Sequence, residues 1–413
     1  MALTKLTTNL ISGDIVTSVN GSSGAVTLET GTDWQTAIQT SNFTAVASKG
    51  YFVNTTSAEI TVTLPVGVVG TEIVIQDYAG TFATNKIILA ANGSEKIQGS
   101  TSDFECITNN ATVTLIYQDA TEGWTSDVIV VFSIPLTVDY LVVAGGGGAG
   151  YDDYGGGGAG GLRTSYGSTS GGGSSAESSQ SLIVNTNYSV TIGSGGSGDQ
   201  GNNPSSGTNS NFNSIISIGG GKGNNAATSG GSGSGGSGNN ANGLPVGIGT
   251  TGQGYNGGPG YPRANNDESG GGGGGAGSIG GSGVANIAGN GGSGLAVSIT
   301  GSSVYYAGGG GGGGRTTGGA GGSGGGAAGT GAASAINAIV NTGGGGGAAG
   351  ANSGNYSGSN GGSGVVILRY PSVYTISPTS GSGGFTYTTD TSISNTKVTT
   401  FTAAGGGNIQ FTI

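Results

Sequence analysis

Histidine is absent from this chain of 413 residues, and cysteine and methionine each occur once. The lack of histidine removes the commonest general base and the commonest metal ligand. A single cysteine, Cys106, can form neither an intramolecular disulfide nor a thiolate zinc cluster, so we expect it to be a small buried side chain in a strand. The composition therefore argues against enzyme chemistry. We expect no catalytic residue, no cofactor and no bound metal.

Charged residues are also scarce, at 7% of the chain, and their net charge is −10. Nucleic-acid binding needs basic stripes, so this balance argues against a nucleic-acid partner. No run of 18 apolar residues is present, and we expect no membrane insertion. The N-terminal residues do not read as a cleavable signal peptide. We therefore expect a protein made in the cytoplasm, which reaches the cell exterior only by lysis.

Glycine is the residue that this chain has in excess. Of its 98 glycines, 81 lie between residues 145 and 364. Such a composition is usual in disordered segments, but those are normally charged or rich in proline. This segment is neither, and short apolar strings such as Leu141-Val142-Val143-Ala144 interrupt it. The pattern therefore favours a packed fold.

Glycine loses more conformational entropy on folding than any other residue, so a glycine-rich fold must recover that cost through close backbone approach. Helices of the polyproline-II type, with three residues per turn and no internal hydrogen bonds, offer such an approach. The runs Gly270 to Gly275, Gly308 to Gly314 and Gly343 to Gly347 suit this role. We predict polyglycine-II helices that pack side by side and bond through their backbone amides.

The chain divides into four predicted segments. Residues 1–32 read as a connecting arm with a β-hairpin, and residues 33–135 as a small β-sandwich with Trp34 and Trp124 in its core or at a subunit contact. Asp33 is placed to cap a helix over residues 33–38. Residues 136–370 form the glycine-rich domain, in which a β-framework carries the packed helices. Residues 371–413 return to β-like alternation, so the predicted fold class is mostly β.

Four blocks of the glycine-rich segment carry a family resemblance: LVVAGGGG from Leu141, AGGL from Ala159, YSVTIG from Tyr188 and GGSGVVILRY from Gly361. In this order they resemble the glycine-rich domain of phage tail-fibre proteins, the adhesins of T-even-like phages among them. Residues 14–32 resemble a connector that precedes fibre domains. The N-terminal β-domain and the β-rich C-terminal end depart from those adhesins.

The resemblance implies an elongated, fibrous homotrimer that is located in the virion as part of a tail fibre. Its N-terminal arm would attach to other virion tail proteins, and its glycine-rich domain would hold loops against the host. The implied partner is a host surface glycan or an outer-membrane protein.

Breaks in the glycine pattern are the candidate contact sites, because rigid scaffolds carry binding on loops. Tyrosine offers a large, rigid surface and a hydroxyl to sugars or protein loops. Alternatively, these tyrosines cap the ends of glycine helices; Tyr305 and Tyr306 look more like strand residues. The candidate receptor-binding residues are Tyr151, Asp152, Asp153, Tyr154, Tyr255, Asn256, Tyr261, Arg263, Asn265, Asn266, Asp267, Arg315 and Tyr356.

The same residues bear on other possible functions. Gly145, Gly147 and Gly150 satisfy a dinucleotide-binding spacing, but no helix pattern follows them, so we reject that function. The acid pairs Asp152/Asp153 and Asp267/Glu268 could cleave glycans or bind calcium, although adjacent acids in a loop are more often solvated. Two classes stay open beside the adhesin: a purely structural virion component, such as a tail spacer or capsid fibre, and a cellular extracellular or ice-binding polyglycine protein.

Overall fold

A computed structural model describes residues 32–126, 136–200, 203–239, 245–350, 356–379 and 384–412, with two short strands nearer the N-terminus. The chain is mostly β, and its described residues contain no α-helix, only a single 3-10 turn at Gly171–Gly173. It divides into two compact units, Met1–Ile134 and Pro135–Ile413. None of the described segments forms a helix with the length and hydropathy that crossing a membrane requires.

The N-terminal unit begins with a hairpin of β1 (Ser18–Val19) and β2 (Ser22–Ser23), the only described part of the predicted arm before residue 32. Two sheets follow, with strand orders β11-β10-β7-β5-β3 and β4-β6-β8-β9. The strands are β3 (Asp33–Trp34), β4 (Phe43–Thr44), β5 (Lys49–Val53), β6 (Ile60–Thr63), β7 (Glu72–Asp77), β8 (Ile87–Ala90), β9 (Phe104–Cys106), β10 (Thr112–Asp119) and β11 (Gly123–Ser126).

Strands β3 to β8 alternate between these two sheets, and within each sheet they pair in parallel. The chain therefore winds as successive turns of a coil before β9, β10 and β11 close it with antiparallel pairing. Alternating apolar residues from both sheets meet in one core, to which Trp124 contributes a fully buried ring. Cys106 is buried in strand β9, which confirms the prediction.

The helix predicted over residues 33–38 is wrong. Asp33 and Trp34 instead form strand β3, which pairs in parallel with β5. Lys49 forms an ion pair with Asp33, and the Trp34 ring stacks on Phe52 with centroids 4.6 Å apart. These contacts between sequence-distant residues outweigh the local capping signal. Trp34 is partly exposed and does not belong to the core.

The C-terminal unit has a β-framework in three sheets: a six-stranded sheet of order β13-β12-β20-β23-β22 in which β14 also pairs with β12, a five-stranded sheet of order β17-β16-β15-β24-β21, and the hairpin β18-β19. The strands are β12 (Leu136–Val143), β13 (Leu162–Thr164), β14 (Gln180–Leu182), β15 (Tyr188–Ile192), β16 (Ser210–Phe212), β17 (Ile215–Ser217), β18 (Leu295–Val297), β19 (Val304–Tyr306), β20 (Val365–Pro371), β21 (Thr375–Pro378), β22 (Thr386–Asp390), β23 (Thr396–Thr402) and β24 (Gly405–Thr412).

The last strands of the chain share sheets with the glycine-rich segment. Strand β23 pairs with β20, and β24 pairs with β15. Residues after 370 are thus part of the same compact unit. Strand β12, which leads into the glycine runs, pairs with β20, which leads out of them, so both lie at one end of the runs.

The glycine runs bond to their neighbours with a period of three residues. In the run Ala144–Gly150, Gly145 and Gly148 both donate to carbonyls of segment 205–208, at 3.1 and 3.0 Å. The two residues between them donate to other segments. A helix with three residues per turn, as in polyproline II, turns every third amide towards the same side. Each run can therefore bond to several neighbours at once.

The run Tyr154–Gly161 shows how tightly the glycine runs pack. It donates backbone hydrogen bonds to three segments and accepts them from three more, so six neighbours surround it: 218–221, 271–274, 343–346, 144–147, 232–235 and 310–313. A Cβ atom added at Gly157 would lie 2.2 Å from the carbonyl oxygen of Gly147. Only glycine fits where backbones approach this closely.

The glycine runs have two ends, which we name for what they carry. The framework end holds strands β12, β13, β18, β19 and β20. The distal end holds the turns that follow or precede the runs on the other side, among them 151–153, 261–268 and 315–317. At about 3.1 Å per residue, the six steps of the run Ala144–Gly150 separate the two ends by about 19 Å.

Candidate functional site

Backbone bonds between the glycine runs bring three sequence-distant turns together at the distal end. Gly313, two residues before Arg315, donates to the carbonyl of Tyr154 at 3.0 Å. Gly270 donates to the carbonyl of Gly313 at 2.8 Å, and reciprocal bonds of 2.7 and 3.2 Å between Tyr261 and Ser269 close the loop 261–269. The turns 151–154, 261–268 and 315–317 are thus neighbours because the runs that carry them are neighbours.

A chain of polar contacts links these turns. The side-chain amide of Asn239 donates through Nδ2 to Asp152 Oδ2. Arg263 Nη1 donates to Asn239 Oδ1 at 3.2 Å, and Arg263 Nη2 donates to Asn266 Oδ1 at 3.3 Å. These bonds tie the loop 261–268 to the turn at Asp152.

Hydrogen bonds to backbone groups of the loop 261–268 also fix its conformation. Asp267 Oδ1 accepts from the amides of Ala264 and Asn265 at 3.4 and 3.1 Å. The Asp267 carbonyl accepts from the amide of Asn286 at 2.8 Å. Asn265 and Asn266 themselves are exposed. The loop therefore presents amide side chains on a backbone that is fixed at several points.

Glu268 lies at the centre of the distal end and is only 1% exposed. Its Oε1 lies 2.8 Å from Arg315 Nη1 and 3.8 Å from Arg263 Nε. Its buried Oε2 has no hydrogen-bond partner among the described residues. Glu268 was predicted as the last residue of the contact segment Gly254 to Glu268 and as half of an acid pair, whereas no sequence motif marks Asn239. Both contacts arise from the packing of separate runs.

Two ionisable groups of the first turn have shifted pKa values. Burial raises the pKa of Asp152; the charges of Arg263 and Arg315 oppose this rise, and that of Glu268 adds to it. Burial, together with Asp152 and Tyr151, raises the pKa of Tyr154 to about 12. Asp152 has a φ of 71°, a left-handed conformation that aspartate tolerates better than most residues. Burial therefore disfavours the ionised form of Asp152 in the folded chain.

Replacing Asp152 with asparagine is expected to stabilise the unit at neutral pH. The folded-state pKa of Asp152 is raised, so its favourable contribution is present below the usual aspartate pKa and is lost as the pH rises through the raised value. Asparagine keeps an acceptor for Asn239 and removes the buried charge. The thermal midpoint should exceed that of the wild-type chain at about pH 7, and the difference should shrink towards about pH 3. A constant difference across this range would contradict the assignment.

Three further candidate residues, Asp153, Tyr154 and Tyr356, lie at the distal end. Tyr154 is buried against Ala149 and Ala348, and Asp153 is fully buried. Tyr356 lies at the distal end, three residues from Ser359, whose carbonyl accepts from the amide of Ala149.

Tyr255 and Asn256 lie away from the other candidates. The amide of Tyr255 donates to the carbonyl of Gly275, near the framework end. Tyr261 lies at the distal end, so the segment Gly254 to Glu268, which the sequence pattern predicts to be one contact loop, spans both ends. Val304–Tyr306 forms strand β19, which confirms the strand prediction for Tyr305 and Tyr306.

Among the residues whose positions are described, no group of three or more Asp, Glu or Cys side chains is placed to hold a metal ion. What the distal end offers is a surface of tyrosine rings, amides, carboxylates and two guanidinium groups on a scaffold of backbone hydrogen bonds. This arrangement suits non-covalent recognition.

Comparison with known proteins agrees with the glycine-rich architecture. A family model described as a glycine-rich domain matches residues 125–371, which is well over half of the chain. No curated protein matches the chain. The matched range includes every glycine run described above and strands β12 to β20. The chain therefore belongs to the glycine-rich domain family.

Proposed function

We propose that this chain is a bacteriophage tail-fibre adhesin that binds the host surface through its distal end. The observation that carries the proposal is the separation of the two ends. Chemically diverse side chains, Asp152, Arg263 and Arg315 among them, meet at the end opposite to the strands by which the chain enters and leaves the runs. A recognition surface on a fibre needs this placement.

The scaffold supports this function physically. The helices are joined by backbone hydrogen bonds and have few side chains that could rearrange. We infer that they are polyglycine-II helices, because the bonds repeat every third residue and one run has six neighbours. Loops held on such a scaffold lose little conformational entropy on binding, which favours affinity.

The proposed assembly is a fibrous homotrimer in the virion. Its N-terminal arm would attach to other virion tail proteins, and its distal end would contact a host surface glycan or outer-membrane protein. The hairpin β1-β2 has two residues in each strand. Because isolated hairpins are marginal in water, so short a hairpin is expected to gain stability from neighbouring chains.

The proposal is tested by binding of the fluorescently labelled full chain to a broad panel of bacterial strains. The informative variant replaces residues 261–268 with glycine and serine. The matched control is Tyr305→Ala, which removes an exposed aromatic ring at the framework end. We expect strain-selective binding that falls at least about tenfold, or 1.4 kcal/mol, in the loop variant only. Absence of binding to every strain would contradict the adhesin and favour a structural fibre component.

A further inference from the structure

From the hydrogen-bonding groups that remain open at the distal end, we infer that its ligand is a neutral, hydroxyl-rich glycan. The inference rests on the proposed adhesin function and narrows its ligand. A glycan bearing carboxylates or phosphates and a protein receptor are the competing ligands.

The two arginines of the distal end are already engaged with the protein itself. Arg263 donates to Asn239 and Asn266 through its two terminal nitrogens, and its Nε faces Glu268. Arg315 donates to the same carboxylate at 2.8 Å. An anionic ligand would have to replace these contacts, and removing the arginines from the buried Glu268 would leave its charge uncompensated.

The groups that remain open are hydrogen-bond acceptors. Glu268 Oε2 is buried and has no partner among the described residues, and leaving such a group without a hydrogen bond is unfavourable. Asp152 is half-buried, with Asn239 on its Oδ2. Ionised carboxylates only accept hydrogen bonds, so a ligand must bring donors. A sugar hydroxyl can supply a donor directly to the half-buried Asp152, whereas the buried Glu268 Oε2 needs a bridging water.

The local charge points to the same class of ligand. Five acids lie at the distal end, Asp152, Asp153, Asp199, Asp267 and Glu268, together with the cations Arg263, Arg315 and Lys222. The sum of their formal charges is negative, and it adds to the chain's net charge of −10. Such a surface repels carboxylates and phosphates during approach, whereas a neutral glycan experiences no such repulsion.

Tyrosine rings complete the surface. Tyr151 and Tyr261 are half-buried, and the Tyr151 ring lies 6.4 Å from that of Tyr154. A tyrosine offers an apolar face against which the C–H face of a sugar ring can pack, with a hydroxyl at its edge. Apolar rings beside open carboxylate acceptors match the two kinds of surface that a neutral sugar presents.

The test uses the full chain on immobilised bacterial surface polysaccharides, with neutral polysaccharides in one arm and acidic ones in the other. We expect binding to neutral polysaccharides that is nearly independent of salt. Tyr151→Ala and Asp152→Asn should each weaken it at least about tenfold. Tyr305→Ala is the matched control and should not change it. Thermal unfolding of each variant shows whether a loss of binding reflects misfolding. Asp152→Asn is expected to remain folded, because it removes a half-buried charge.

Binding confined to acidic polysaccharides would overturn this inference and leave the adhesin in place. The receptor would be a protein if binding to whole cells survives periodate oxidation of surface sugars and is abolished by protease. That result would also overturn the glycan inference and leave the adhesin in place. If neither cells nor polysaccharides bind the chain, both the adhesin and its glycan ligand are rejected.

Discussion

Gly310→Ala is expected to destabilise the C-terminal unit by about 3 kcal/mol, at the upper end of the usual range for overpacking. In a unit of this size, that loss corresponds to a fall of about 6–12 °C in the thermal midpoint. The added Cβ would lie 1.9 Å from the carbonyl oxygen of Gly346. Gly310 also donates to Gly157 and accepts from Gly273, so its backbone cannot move away without breaking both bonds.

The matched control is Gly281→Ala, in a peripheral glycine segment. There the nearest atom to an added Cβ is the amide nitrogen of Asn290 at 3.0 Å, which a shift of a few tenths of an ångström would accommodate. Scanning calorimetry of both variants would separate a steric effect from a general preference for glycine. Equal, small changes in both thermal midpoints would contradict the close packing of the runs.

Glu268→Ala is expected to loosen the distal end while leaving the glycine runs folded. Arg263 and Arg315 both face this one buried carboxylate, so its removal frees Arg315 and removes the side-chain link between the loop 261–268 and the turn at Arg315. Amide exchange should accelerate in residues 261–268 and 315–317, whereas amides of the run Tyr154–Gly161 should keep their protection. Binding to host cells should fall at least about tenfold.

Glu177→Ala provides a matched control for this variant. Glu177 accepts two hydrogen bonds from Arg163, at 2.7 and 2.6 Å, and one from Tyr140 at 2.8 Å, all within the β-framework. Its removal is expected to destabilise the framework without accelerating exchange in the distal loops. If Glu268→Ala and Glu177→Ala produce the same exchange pattern, Glu268 does not hold the distal end specifically.

The sequence predicted the local conformations well where one short segment carries the signal. The prediction that Tyr305 and Tyr306 are strand residues is an example, and both lie in strand β19 (Val304–Tyr306). It failed at Asp33, where a capping residue followed by helix-compatible side chains indicated a helix. There, pairing with β5 and the contacts of Lys49 and Phe52 determine the conformation. These partners lie 16 or more residues away, and no local pattern reveals them.

The candidate site was predicted in part. Breaks in the glycine pattern pointed to the segments around Asp152, Arg263 and Arg315, which the structure places close together. The same reasoning placed Tyr255 and Tyr261 in one loop, although the extended segment between them places the two residues towards opposite ends of the runs. Glu268 was not singled out among the candidate residues, because its burial and its contacts with two arginines on separate segments arise only in the fold.

By itself, the sequence determined that this is a mostly β protein with a glycine-rich unit, and that the unit needs close backbone contact to fold. Glycine content decides this, because a chain without side chains can gain stability only through its backbone. The tertiary structure alone decided which runs are neighbours. A glycine run presents only equivalent backbone amides and carbonyls, so the sequence of the run Tyr154–Gly161 carries no information about its six neighbours. The strands and turns at the ends of the runs select that arrangement, and with it the composition of the distal end.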